Sequence, residues 1–533
     1  MDSLKIMPRM VNKLTVPVSS NLQKIFFVLL AFSIGFAVRF PYLILRDAFP
    51  LGDGGLFIKM IYSIRENDYL LPRIINFNSQ QIPFAYPPLG FYLALAMSKF
   101  SGLSILQTAT VLPILLNLLT VVFFVLLAAE LTRDKAELLI ASVIFPIIFQ
   151  VYQWTIKGGG LSRSPGFLFM VLALYCFLHY KNKGSKLYFV LASAALGATF
   201  LSHLEWALIA VTSILVCAFS FHSLNWKRNV QDLFFLGIGS VLVSMPWWGT
   251  VMYRFGLSPF VSAWNVAGMT IGQFVEKFFT GSIFFINVLL YENYFFPLFG
   301  AIGFILALYR KSFFLPIWLL ASYIVAPKNS PISGLVPLVI LMAMGLRDLD
   351  RFVAYLYSKI KSGFHNTDWQ SVFGTLSVFP FSIVYLLAVM MIALPQLIAN
   401  PILRSIKPAE RNAMEYIANN TPSDAKFVVV TSSEWYSADA AEWFPYLSDR
   451  QSITTPQGLE WVSTSDFNEI VNHVSTLSRI VRDEQAGVNS GQLVGYVEDH
   501  FFNDYEYVAI FANNLEKEFG GFLVLQRKVG NEN

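Results

Sequence analysis

Cysteine is nearly missing from this chain. Its 533 residues hold two, Cys176 and Cys217, both inside apolar runs. A disulfide framework is therefore not what holds the fold, and thiols do not reveal the redox compartment. Charge is scarce as well: 14% of residues are charged, the net is +4, and the basic residues fall in short clusters between apolar runs. A basic stripe that would track a phosphate backbone is missing, which excludes nucleic acid as a partner class. Neither an internal repeat nor a low-complexity tract appears, and the missing repeat counts against the symmetric architecture of many transporters. A cleavable signal is not expected, because residues 1–23 are polar and basic and the apolar run after them is long enough to span.

What the chain has in abundance is apolar surface. At 55% hydrophobic, 16% aromatic and a mean hydropathy of +0.55, it is too apolar for an ordinary soluble protein, and the expected class is a polytopic α-helical membrane protein. Lys5, Arg9, Lys13 and Lys24 precede or open the first span, about residues 24–45, and an excess of Lys and Arg beside a span marks the cytoplasmic side. Residues 87–101 are apolar but shorter than the roughly 20 residues a crossing needs, so they are expected to form an interfacial or re-entrant helix. With that choice the clusters TRDK (132–135), KNKGSK (181–186), WKRN (226–229), YRKS (309–312), GLRDLDR (345–351) and KIKSGFH (359–365) all become cytoplasmic. The runs near 105–130, 137–156, 166–180, 187–203, 206–222, 231–250, 285–308, 313–326, 333–346 and 371–395 then bring the total to about 11 crossings.

Three parts follow: a cytoplasmic segment 1–23, a membrane domain 24–399 whose first outer loop is 46–86, and an extracytoplasmic soluble α/β domain 400–533. In the last, PAERNAMEYIANN reads as a helix, while AKFVVVT, YEYVAIFA and GFLVLQRKV read as strands. The expected location is the cell (plasma or inner) membrane, multi-pass.

The unusual polar residues collect in the outer loops. Asp53 stands inside Gly-Asp-Gly-Gly, whose glycines permit positive φ and close approach of a ligand, and the loop closes with Ile-Pro-Phe-Ala-Tyr86-Pro-Pro-Leu. Gly-Asp-Gly is also ordinary turn chemistry, so Asp53 reads equally as a helix cap. KGGGLSRSP carries Lys157 and Arg163 beside exposed backbone N–H groups, which suits a phosphate, though both side chains also suit snorkelling to head groups. Its spacing is not that of a P-loop, so no nucleotide is implied. Arg46 and Lys328 repeat that logic more weakly. His203 and Glu205 in SHLEW are ionisable groups at a span boundary, and a pair at i, i+2 does not make a metal site. Trp435 and Trp443, beside Glu434 and Glu442, are candidates either for an acceptor groove or for the core of the outer domain.

A first outer loop with an early acid and a Tyr-Pro-Pro-Leu-x-x-Tyr closure resembles the GT-C membrane glycosyltransferases, in particular the protein O-mannosyltransferase and aminoarabinose-transferase branch (GT39/GT83-like). The resemblance implies an inverting enzyme that takes a sugar from a polyprenyl phosphate and gives it to an acceptor hydroxyl. In that setting Asp53 is the expected general base. Arg163, Lys157, Lys328 and Arg46 are the expected donor-phosphate ligands, and Tyr86, Glu205, His203, Trp435 and Trp443 the substrate-binding candidates. The family pattern has two adjacent acids where this chain has Asp53-Gly54. A metal occurs in some relatives, but the single acid points to a metal-independent site without cofactors. The expected partners are a polyprenyl-phosphate-linked sugar, an acceptor that is protein, lipid or glycan, and membrane lipid. Two further readings stand beside this one: a lipid-linked saccharide flippase, and a non-catalytic protein of cell-envelope polymer assembly.

Overall fold

The computed structural model describes residues 21–44, 49, 52–156, 160–220, 226–267, 275, 296–326, 332, 334–363, 381–399, 406–437, 439–483, 490–501, 504–511 and 522–526. Arg46, Lys157 and Lys328 lie outside the described residues.

The chain opens with α1 (Asn21–Leu43), then α2 (Gly54–Glu66), a hairpin of β1 (Ile74–Phe77) and β2 (Gln80–Pro83), and α3 (Leu89–Ser101). The expected non-spanning run 87–101 forms this α3, thirteen residues that begin after Pro88 and stop at Gly102, whose φ is 74°. Next come α4 (Ile105–Leu131), α5 (Lys135–Ile147), α6 (Phe149–Ile156), α7 (Gly160–Lys183), α8 (Lys186–Phe200), α9 (Leu204–Ser220), α10 (Trp226–Phe255) and α11 (Ser258–Ala267). Then follow α12 (Phe296–Tyr309), α13 (Phe314–Val325), α14 (Leu335–Gly363) and α15 (Phe381–Ala399). The structure is mostly helical, and the described residues of each apolar run named from the sequence fall largely in a helix or a bent pair; residues 221–222, 285–295 and 371–380 of those runs lie outside the described residues. Among the described residues, α1, α4, α7 and α10 are individually long and apolar enough to cross a membrane, and α5 with α6, bent by 40°, makes a fifth.

Two devices bind the bundle. Where α12 meets α14 the backbones touch, since a Cβ on Gly303 would lie 1.9 Å from the Leu341 carbonyl and one on Gly345 2.0 Å from that of Phe299. Small residues allow this approach, which side chains would prevent. At one end of the bundle the clusters 132–135, 309–312 and 345–351 join in an ionic network: Arg310 reaches Asp348 at 2.6 Å, Arg133 the same carboxylate at 3.3 Å, and Arg351 Asp134 at 2.8 Å.

The C-terminal part contains α16 (Pro408–Asn420), β3 (Lys426–Thr431), α17 (Asp439–Leu447), β4 (Gln451–Ser452), α18 (Thr464–Asp483), α19 (Ser490–Phe501), β5 (Tyr507–Phe511) and β6 (Phe522–Gln526). Its sheet runs β4-β3-β5-β6, parallel where β3 meets β4 and β5, antiparallel at β6. Val429 packs with Met414 and Phe444 on one face, while Val428 and Val430 pack with Leu477 and Val497 on the other. Burial on both faces explains why β3 reads as a continuous apolar run.

This α/β unit is not a separate body. Trp443, Trp461 and Ile406 share one apolar cluster with α2, the β1–β2 hairpin and α3. The Asn78 amide donates to the Ser452 carbonyl at 2.7 Å and accepts from the Ser452 N–H at 2.7 Å, clasping the hairpin turn to β4.

Candidate active site

Asp53 is the residue before α2, and its backbone is left-handed, with φ 63° and ψ 9°. Aspartate tolerates this conformation at a modest cost. No side-chain cap hydrogen bond forms. The capping carboxylate belongs instead to Glu442 of α17, which accepts the N–H of Gly54. Glycine is required there, because a Cβ on Gly54 would lie 2.6 Å from the buried Trp443 ring. Asp53 is thereby released from helix capping.

The polar groups around it arrive on four elements. The Pro-Pro closure is held by the Leu89 N–H, which donates to the Leu201 carbonyl at 2.9 Å. Gly90 lets α3 meet α7, since a Cβ there would lie 1.8 Å from the Leu161 carbonyl. That approach sets Tyr86 beside the first turn of α7, where its hydroxyl meets Ser162 and feels the charges of Asp53, Arg163 and Glu460. Arg163 lies one residue further along α7, its guanidinium 5.6 Å from the Trp154 ring centroid.

His203 follows from the turn between α8 and α9, and its Nδ1 is buried without a hydrogen-bond partner among the described residues. Burial first, and the charge of Arg163 second, pull its pKa down to about 3, so its imidazole is neutral at physiological pH. Loss of solvent pushes the Asp53 carboxyl up while Arg163 pulls it back.

Sequence reasoning missed Glu460. It sits in a short helical turn, Leu459–Trp461, which follows Gly458 at φ 96° and packs Trp461 5.4 Å from Tyr86, centroid to centroid. The Glu460 Oε2 accepts the Gly458 N–H at 2.7 Å. Burial, then the negative charge of Asp53, push its carboxyl up to about 8. The Asp53 whose charge it feels lies about four hundred residues upstream. The only signal was an acid behind a glycine in QGLEW, a stretch noticed for its tryptophan.

Among the other candidates, Glu205 is partly buried in the first turn of α9. Trp443 is fully buried and forms the wall behind α2 rather than an open groove. Trp435 packs 5.4 Å from Phe467 of α18, within the α/β unit. Among the described residues no group of three His, Cys, Asp or Glu side chains is placed to hold a metal ion.

Neither protein-family models nor curated proteins give a match to the chain. Solved structures do. The archaeal oligosaccharyltransferase AglB from Archaeoglobus fulgidus, in complex with an inhibitory peptide and a dolichol-phosphate, superposes with a TM-score of 0.57 at 16% identity over 93% of this chain and 70% of that one. The apo form of the Archaeoglobus fulgidus oligosaccharyltransferase gives 0.58 at 14% identity, over 92% of this chain and 70% of that one. ArnT from Cupriavidus metallidurans, bound to undecaprenyl phosphate, gives 0.51 at 12%, over 93% of each chain. The fold is GT-C. In GT-C terms the Asp53 loop, α2 and the hairpin form the first long connection after the first helix, and the α/β unit closes over it.

Proposed function

We propose that the protein transfers a sugar from a polyprenyl-phosphate donor to an acceptor hydroxyl, at the end of the bundle where Asp53 and the α/β unit meet. The observation that carries this reading is the meeting of Asp53 and Arg163 in one partly buried group, with Tyr86 and His203 beside them. The GT-C fold supports it, because solved structures of that fold hold dolichol-phosphate and undecaprenyl phosphate.

In this reaction the acceptor O–H gives its proton to Asp53 while its oxygen attacks the anomeric carbon. The bond from that carbon to the phosphate oxygen breaks, and its electron pair leaves on the phosphate. Negative charge grows there as the bond stretches, so the Arg163 guanidinium stabilises the transition state more than the ground state. A single displacement inverts the anomeric configuration. Neutral His203 and the Tyr86 hydroxyl supply uncharged hydrogen-bonding groups for the sugar or acceptor. Excess Lys and Arg at the opposite end of the bundle supports placing that end in the cytoplasm and the transfer pocket outside.

The test is transfer by the purified full-length protein in liposomes, supplied with radiolabelled polyprenyl-phosphate sugars and a membrane extract. Asp53→Asn should abolish transfer at unchanged protein level. Transfer at the wild-type rate by this variant would refute the base assignment. Translocation of lipid-linked sugar without any transfer would replace the enzyme by a flippase.

A further inference from the structure

Arg39 of α1 is 0% exposed, and the transfer reaction gives it no task. Its guanidinium lies 4.6 Å from the centroid of the Tyr152 ring, which belongs to a buried apolar cluster with Val38, Ile114 and Leu118. The groups that hold it are neutral: Nε donates to Asn117 Oδ1 at 2.7 Å, and Nη1 donates to the carbonyls of Gly35 and Pro146, each at 3.1 Å. Nη2 has no hydrogen-bond partner among the described residues. A cation buried at membrane depth is costly, and apolar side chains would fill the same space. Its placement points to a role in orienting what it holds. Pro146 lies in the last turn of α5, just before the chain bends by 40° into α6, and a cation suits the negative end of a helix.

Asn117 of α4, also 0% exposed, carries the connection onward. Arginine only donates and a carbonyl only accepts, so the amide has one orientation: Oδ1 toward Arg39, and Nδ2 toward the Val151 carbonyl at 2.9 Å and Thr155 Oγ1 at 2.7 Å. Both of those partners are on α6. The end of α6 is tied to α7 in turn, because the Ser164 hydroxyl shares its hydrogen between the Thr155 carbonyl at 2.7 Å and the Pro113 carbonyl at 2.9 Å. Gly160 permits the approach, since a Cβ there would lie 2.6 Å from that same Thr155 carbonyl. Ser164 follows Arg163, and Thr155 follows Trp154, whose ring the Arg163 guanidinium faces.

We propose that Arg39 and Asn117 are positioning residues for Arg163: they fix α6 across the bundle, so that Trp154 and Ser164 hold the guanidinium where the donor phosphate leaves. Neither touches the substrate. The purpose of this network rests on the transferase reading, but the placement of Arg163 is measurable without any donor.

Phenylglyoxal modification of the full-length protein in detergent micelles, with each arginine quantified by peptide mass spectrometry, reads that placement. Asn117→Leu removes the hub, whereas Thr155→Val keeps the shape and removes only the hydroxyl that receives the amide. Arg163, half-buried in the wild type, should react roughly fivefold faster in Arg39→Met and Asn117→Leu, and faster by a smaller factor in Thr155→Val, as the loss of one or more hydrogen bonds implies. Arg254 of α10, fixed on the Leu71 and Pro72 carbonyls at 2.9 and 2.8 Å, should keep its wild-type rate. An unchanged Arg163 rate in these variants would overturn the proposal. Equal acceleration of Arg254 would overturn it too, because the whole fold would then have loosened.

Binding of farnesyl phosphate, a short polyprenyl phosphate, compared with that of farnesol gives a second readout. Arg39→Met should weaken farnesyl phosphate roughly tenfold, as a misplaced hydrogen bond to a charged group implies, and leave farnesol unchanged. That loss should vanish when Arg163→Gln is already present, since the network acts through this one guanidinium. Equal losses for the phosphate and the alcohol, or in both backgrounds, would refute the positioning role. If farnesyl phosphate binds none of the proteins, wild type included, the donor assignment fails, while the arginine labelling still decides the network.

Discussion

Removing the Glu442 carboxylate should open the first turn of α2. That turn begins at Gly54, whose N–H points at Glu442 of the α/β unit, and Glu442 is 3% exposed. A hydrogen bond to a charged acceptor contributes about 1.5–3 kcal/mol. A carboxylate at a helix N-terminus adds about 0.3–1 kcal/mol. Glu442→Ala should therefore destabilise the turn by roughly 2–4 kcal/mol, which raises local opening by about 30-fold to 1,000-fold. Glu442→Gln keeps an acceptor and loses the charge, so its opening should rise by roughly tenfold at most. The assay is hydrogen exchange on peptides covering residues 54–66 in detergent, where opening free energies are read segment by segment. Wild-type exchange in Glu442→Ala would refute the trans-cap. So would equal acceleration in the Ala and Gln variants, because the charge and the acceptor would then not be separable.

Three further outcomes follow from the geometry. Gly90→Ala places a methyl 1.8 Å from the Leu161 carbonyl, so α3 and α7 must part. Thermal stability should fall by about 1–3 kcal/mol, and farnesyl phosphate affinity should drop because Arg163 moves with α7. Asn78→Ala removes both 2.7 Å hydrogen bonds to Ser452, leaving β4 backbone groups unpaired at a cost of roughly 1–3 kcal/mol, and limited proteolysis should release the α/β unit faster. Stability should also fall on both sides of a mildly acidic optimum, between about 4.5 and 6.5. Glu460, raised from 4.5 to about 8, contributes stability that is complete below 4.5 and lost as pH rises through 8. His203, lowered from 6.5 to about 3, contributes stability that is present above 6.5 and lost as pH falls toward 3. Unfolding rates across pH should show Glu460→Gln flattening only the alkaline side, and a slope identical to the wild type would refute this.

Long apolar runs made the bundle legible, because a span must satisfy its backbone within itself and so declares its length in sequence. The short α3 was legible for the same reason, since a run too brief to cross has to end inside the fold. Strands β3, β5 and β6 showed through their β-branched and aromatic residues, whereas the two-residue β4 had no pattern to show. Asp53 and Arg163 stood out by their glycine and proline neighbours. Glu442 and Glu460 did not: their importance lies in tertiary approach across some four hundred residues, and periodicity carries no information on such contacts. The reading of Asp53 as a helix cap was undone by another residue taking the post, which only coordinates reveal.

The position of Trp443 under Gly54 has a consequence for how the molecule is made. Ribosomes deliver Asp53 long before they deliver the indole and the two glutamates that complete its surroundings. Until residues 442–461 have been made and folded, the amino end of α2 lacks the Glu442 carboxylate and a large apolar floor lies bare. The surroundings of Asp53 are thus complete only with the last quarter of the polypeptide, and a nascent chain carries this acid without them.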